Sequence, residues 1–312
     1  MIVRGGVIVA VLLLSATPVR SAAQGSGVSR AGILLTLPTD TRSLGLAHAS
    51  SATARDEWAT FHSPAQLATV RRASAGLATE GYLAGTQLSA ASVALPVGRG
   101  TMGIAATLLD YGTIPEIVST SPGGEGIETG RTHSAQDYAL VVAYGFDLSG
   151  APGRSLRIGL AAEYVSTRIA DLSGSGAALS AGVAGSLRGG WDFAAAVQHL
   201  GSDVAVGATR GSLPTTARIS VAAPARQVGQ VSIRPMIEGR TVRGSGSAAA
   251  LAAEATWIAS RGTTLAFRSG YTVRTGAAED RWPVSVGMGV ALGAFVLDYA
   301  IERFPTDRKS VV

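Results

Sequence analysis

From about residue 74 to residue 303 the side chains alternate between two characters with a period of two, and little else in the sequence narrows the fold so far. Leu156, Ile158, Leu160, Ala162 and Tyr164 would share one face of an extended segment, and Arg157, Gly159, Ala161 and Glu163 the other. Phe295, Leu297, Tyr299 and Ile301 stand against Asp298, Ala300 and Glu302 in the same way. Such alternation marks β-strands whose two faces meet different surroundings. It predicts thirteen strands, near 74–82, 86–96, 101–111, 136–148, 155–167, 176–186, 191–199, 214–223, 230–240, 247–258, 263–273, 281–291 and 293–303. Residues 307–312 would supply a short fourteenth.

The character of the faces selects among all-β folds. The non-apolar face is mostly Gly, Ala and Ser with isolated ions. Charged residues are 15% of the chain and Gly numbers 40, against ~25% charged residues in ordinary soluble domains. A soluble sandwich turns a densely polar face to water. A membrane barrel instead turns apolar residues to lipid and keeps small and polar residues inside. No stretch of 18 consecutive apolar residues is present, so no helical span is expected. The reading is therefore an all-β chain: a transmembrane antiparallel β-barrel of about 14 strands. Tyr138, Tyr144, Phe146, Tyr164, Trp191, Trp257, Tyr271, Trp282 and Tyr299 would form interfacial girdles. A charge in hydrocarbon costs ~2–4 kcal/mol for Arg at the midplane. Arg157, Glu163, Asp192, Arg218, Arg234, Glu238, Arg240, Glu254, Arg268, Asp298 and Glu302 are accordingly expected in the lumen, solvated or paired.

Three domains are expected. Residues 1–23, with Arg4, the apolar run Val7 to Leu14 and Ser21-Ala22-Ala23, have the form of a cleaved secretory signal. Residues 24–73 lack clean alternation and read as a plug or hatch, and 74–312 as the barrel. Long connections at 112–135, 168–175, 200–213 and 273–279 alternate with short ones, the usual split between extracellular loops and periplasmic turns. The 112–135 loop is the expected docking surface.

Chemistry is sparse. With no cysteine, disulfides, thiolate catalysis and Cys-ligated metals are excluded. Gly98, Gly100 and Gly103 match a dinucleotide fingerprint in letters only, because a strand follows rather than a helix. His199 with Ser202 or Gln198 is the one conceivable start of a hydrolytic site, and a strand-end histidine accounts for it better. No catalytic, cofactor or metal residues are assigned. Basic residues are scattered, nearly all of them Arg, and no nucleic-acid partner is expected.

Arg42-Ser43-Leu44-Gly45-Leu46-Ala47, then Arg55-Asp56-Glu57 and Ser63-Pro64-Ala65-Gln66-Leu67, resemble the opening segment of the PorV/PorQ-like outer-membrane proteins, related to the FadL long-chain fatty-acid channels. Ser63 and Gln66 stand where that motif has Asn and Gly. Leu108 to Glu116, Gln198-His199-Leu200-Gly201, Arg268-Ser269-Gly270-Tyr271 and Leu297-Asp298-Tyr299-Ala300 continue the resemblance in order. The terminal Val311-Val312 departs from the aromatic ending common in barrels. The resemblance implies a 14-stranded barrel with an N-terminal hatch, in the outer membrane of a Gram-negative-type bacterium. Arg42, Gly45, Asp56, Pro64 and Ala65 would form the plug motif. It implies a non-enzymatic protein with outer-membrane lipid around it. The first functional expectation is type IX-like secretion or surface attachment, with secretion components or exported cargo as partners. The second is FadL-like uptake of a hydrophobic small molecule. A barrel hydrolase and a secreted soluble β-protein follow.

Overall fold

The computed structural model describes residues 29–82, 85–119, 126–148, 155–275 and 283–302. The expected signal segment, Trp282 and the closing strand at 307–312 lie outside the described residues. Seventeen strands are present among them: β1 (Ser29–Arg30), β2 (Ser74–Gly81), β3 (Gln87–Val97), β4 (Gly100–Ser119), β5 (Gly126–Asp147), β6 (Ser155–Ile169), β7 (Leu172–Ser186), β8 (Asp192–Gly201), β9 (Val204–Val206), β10 (Thr209–Ser212), β11 (Thr216–Ala222), β12 (Arg226–Val228), β13 (Val231–Val242), β14 (Gly246–Ser260), β15 (Thr263–Thr275), β16 (Val284–Leu292) and β17 (Phe295–Glu302). Two short helices, α1 (Thr41–Gly45) and α2 (Ala59–His62), and two 3-10 turns, Ile33–Thr36 and Pro64–Thr69, precede β2.

Thirteen long strands form one antiparallel meander from β2 to β17, in which each hydrogen-bonds to the next long strand in the chain, and β12 adds to β13 to make a 14-stranded sheet. Those thirteen coincide with the thirteen alternating segments. Among the described residues β2 and β17 do not pair, and their edges flank open cavities of about 580 and 880 Å³. With an odd number of antiparallel strands between them, the two edges run in the same direction.

The burial pattern inverts that of a soluble protein. Leu160 is 66% exposed, Ile219 63%, Leu251 61% and Leu297 77%, while Ala161, Glu163 and Glu238 are buried. The large apolar side chains cover the outside, and small residues and ions face inward, as a barrel in lipid requires. The aromatics fall into two sets. Tyr144, Trp191, Trp257 and Phe295 lie near one end of their strands, or just before them, and Tyr138, Tyr164, Tyr271 and Tyr299 toward the other.

The connections depart from expectation in two places. β6 and β7 run on to a two-residue turn at 170–171, so the loop expected over 168–175 is strand. Residues 112–135 are likewise mostly strand. β3 ends opposite Asp110 and β6 opposite Ala135. Beyond those points β4 and β5 continue as a two-stranded ribbon with no third strand on either side. The alternation faded there because a ribbon with solvent on both faces has no buried side to encode.

Residues 31–73 pack against the inner face of the sheet. Their buried residues include Leu34, Leu46, Ala49, Ala52, Ala59, Ala65 and Leu67. They form mixed clusters with wall residues such as Ala184, Ala194, Met236 and Ala252, or Ala94, Ala105 and Val141. Ahead of them β1 pairs in parallel with β10, which pairs with β9, so the loop after β8 holds the start of the inner segment.

Candidate functional site

The bore is the candidate site, and its geometry starts with glycine. Gly145, Gly159 and Gly182 are register partners across β5, β6 and β7. The Pro64–Thr69 turn lies on this row. A Cβ on Gly145 would come within 2.4 Å of the Pro64 carbonyl oxygen, and one on Gly159 within 2.2 Å of the Pro64 carbonyl carbon. Gly45 of α1 meets Gly287 of β16 in the same fashion, its Cβ position 3.1 Å from the Gly287 Cα. The small-residue face thus leaves room for a second layer of backbone rather than for water alone. At Gly145 and Gly159 the wall has no room for a Cβ because the backbone at Pro64 and Ala65 occupies that space. Gln66 is fully buried, and its Nε2 donates to the Ala52 carbonyl at 2.6 Å. A glycine here could not tie the two halves of the inner segment together.

Ion pairs join this layer to the wall. Arg42 Nε and Nη2 reach the two carboxylate oxygens of Glu254 at 2.9 and 3.0 Å. Glu254 also accepts from Arg268 Nε at 2.6 Å, and Arg268 Nη1 donates to Asp298 at 2.6 Å. The register sets this chain, since Arg234, Glu254 and Arg268 are successive cross-strand partners. Gly289 makes space for it, because a Cβ there would lie 2.1 Å from Asp298 Oδ1. On the other side Asp192 accepts from both Arg55 and Arg234, each at 2.5 Å. Glu238 accepts from Arg218 at 3.2 Å and from the Ser51 backbone N–H at 3.0 Å. Arg157 is buried and donates to Ser186 Oγ at 3.4 Å. Charge-assisted hydrogen bonds of this kind strengthen in a low-dielectric surround.

Within the inner segment Asp40 caps α1, accepting from the Ser43 N–H at 2.8 Å, and pairs with His62. Burial pushes the Asp40 carboxyl up, but His62, the Ser43 N–H and Arg42 together bring it below its ordinary value. Arg42 loses by burial and gains more from Glu254, so its guanidinium is held charged. Asp56 differs. It accepts from the Trp58 N–H at 3.2 Å, and burial pushes its carboxyl up to about 6 despite Arg42 nearby.

His199 enters the bore through a break in the alternation. β7 and β8 slip register after Leu179, and His199 has φ 59°. Gln198 and His199 therefore both point inward, while Val197 and Leu200 point out. His199 Nδ1 meets Glu163 at 2.6 Å, and Ser180 donates to the other Glu163 oxygen at 2.5 Å. Ser202 has no part in this group; its hydroxyl accepts from the Ala177 N–H at 3.3 Å. The bulge, the His62–Asp40 pair and the roles of Ser51, Gln66 and Ser180 carry no period-two signal. The His at a strand end was the only visible trace. His62, Glu163, His199, Arg218 and residues 34–39 line a cavity of about 40 Å³. Among the described residues no group of three or more His, Asp or Glu could hold a metal ion.

No family model and no curated protein matches the chain. Solved structures do. The fold resembles the Pseudomonas putida toluene transporter TodX over 85% of this chain and 90% of that one, at 9% identity and a TM-score of 0.53. It resembles the Ralstonia pickettii toluene transporter TbuX over 83% and 92%, at 13% identity and a TM-score of 0.51. A Pseudomonas aeruginosa FadL homologue matches over 81% and 86%, at 12% identity and a TM-score of 0.47. None of these three is a PorV or PorQ protein, and the secretion-associated expectation gains nothing from them. At this identity the likeness establishes the fold, a FadL-like antiparallel β-barrel of the outer-membrane type.

Proposed function

We propose that the chain is a non-enzymatic outer-membrane channel for hydrophobic small molecules, with the segment up to residue 73 as its hatch. The observation that carries this reading is a bore filled by the chain's own inner segment, which is hung on ion pairs inside a barrel of the toluene-transporter fold. A purely structural filling would favour apolar contacts, since a buried ion pair is weak evidence of stability. Ion pairs have another property: they can be exchanged for water or for each other when the segment shifts. The cavity of about 40 Å³ beside His199 has room for about three waters at ~10–15 Å³ each, far too little for an aromatic solute. On this reading an aromatic solute passes only when residues 34–39 move off the wall. Leu34, Leu35 and Leu37 give that part of the segment a greasy surface for an apolar solute to follow.

Uptake tests the proposal. Cells expressing the chain should accumulate radiolabelled toluene or a labelled fatty acid faster than cells carrying an empty vector. Equal rates with protein present in the outer membrane would sink the reading. Arg42→Ala combined with Arg55→Ala should raise leakage of a hydrophilic dye, as expected of a loosened plug.

A further inference from the structure

One rim of the barrel is dressed in arginine. Arg99 sits in the turn between β3 and β4, Arg188 between β7 and β8, Arg226 between β11 and β13, and Arg261 between β14 and β15. Arg71 and Arg72 precede β2 at the same end. All six are exposed. Of the five described hairpin connections at this end, only residues 293–294 lack an arginine, and none holds an Asp or Glu. Arg71 lies 4.0 Å from Asp147; the other five have no carboxylate within ion-pair distance among the described residues. The opposite rim is mixed, with Asp171, Asp203, Glu116 and Glu128 beside Arg131, Arg168, Arg210 and Arg243. The near-absence of Lys thus has a spatial side. The turns of one end hold arginine and no acid, whereas the other end mixes both signs.

That end also carries the first aromatic set. Trp191 is three residues from Arg188, and Trp257 four from Arg261. The Tyr144 hydroxyl donates to the Val97 carbonyl at 3.0 Å, two residues from Arg99. Exposed Tyr and Trp rings settle at the headgroup level of a bilayer. Guanidinium groups just beyond them stand at the depth of the lipid phosphates, which Arg binds as a planar, bidentate donor. The protruding ribbon of β4 and β5 marks the other end as extracellular, since barrels carry long loops outside and short turns in the periplasm. We infer that the arginine rim is a binding surface for anionic phospholipid headgroups of the periplasmic leaflet. The inference rests on the barrel fold and not on the transport reading.

Spin-labelled lipids in reconstituted membranes test it. The full chain should select phosphatidylglycerol over phosphatidylcholine by about fivefold at low salt, with the preference shrinking as salt rises. Arg99→Gln, Arg188→Gln, Arg226→Gln and Arg261→Gln together should bring the ratio near one. Arg168→Gln, Arg210→Gln and Arg243→Gln on the opposite rim should leave it unchanged. Heat-modifiable gel migration shows that each variant is folded. A wild-type ratio of one, an unchanged ratio in the first variant, an equal loss in the second, or a preference for lipid A over phosphatidylglycerol would each overturn the inference.

Discussion

The tightest constraints in the molecule act on single residues whose importance comes from what they lack. Gly159 faces backbone of the inner segment at 2.2 Å from its Cβ position, whereas Gly81 has nothing within 4 Å. Gly159→Ala should lower the unfolding midpoint by the equivalent of about 2 kcal/mol or more through overpacking, and Gly81→Ala should be neutral within about 0.5 kcal/mol. Urea titration of the detergent-solubilised protein compares them. Asp56 provides a second test. Its carboxyl is raised by burial to about 6, above the ~3.9 of an unfolded chain. The stability it contributes is therefore complete below about pH 4 and lost as pH rises through about 6. The stability gap between wild type and Asp56→Asn should shift in favour of the variant by on the order of 2 kcal/mol between pH 4 and pH 7. A gap that does not change with pH would contradict the raised carboxyl. In the sequence Asp56 was visible as part of a motif, but its environment was not, because desolvation depends on partners far along the chain.

Among the elements, β4 and β5 combine two regimes. Up to Asp110 and from Ala135 their hydrogen bonds are flanked by β3 and β6. Beyond, the ribbon holds exposed Ile114, Ile117, Val118 and Ile127 and a local group in which Glu116 meets Arg131 and His133 at 3.9 and 3.6 Å. An isolated two-stranded ribbon is marginal in water. Limited trypsin digestion of the folded protein should cut first after Arg131 and leave the barrel's heat-modifiable migration intact. First cleavage within residues 155–201 instead would show that the ribbon is not the weak element. The strands of the wall were legible because lipid on one side and the inner segment on the other impose opposite preferences on alternate residues. The ribbon, the bulge at His199 and the β1–β10–β9 sheet were not, since their pairing obeys local geometry rather than a two-sided environment.

At the scale of the whole molecule, the outer surface predicts behaviour directly. A wall with Leu160, Ile219, Leu251 and Leu297 exposed needs an amphiphile. The purified chain should precipitate when detergent is removed and should migrate faster unheated than boiled on a gel; identical migration would argue against a stable barrel. Thirteen strand positions and the barrel class were written in the sequence, because each residue of a strand reports the medium on its own side. Which ion meets which was not. Arg42 finds Glu254 across 212 positions, and such meetings arise only when register, closure of the sheet and the path of the inner segment bring distant side chains to one place.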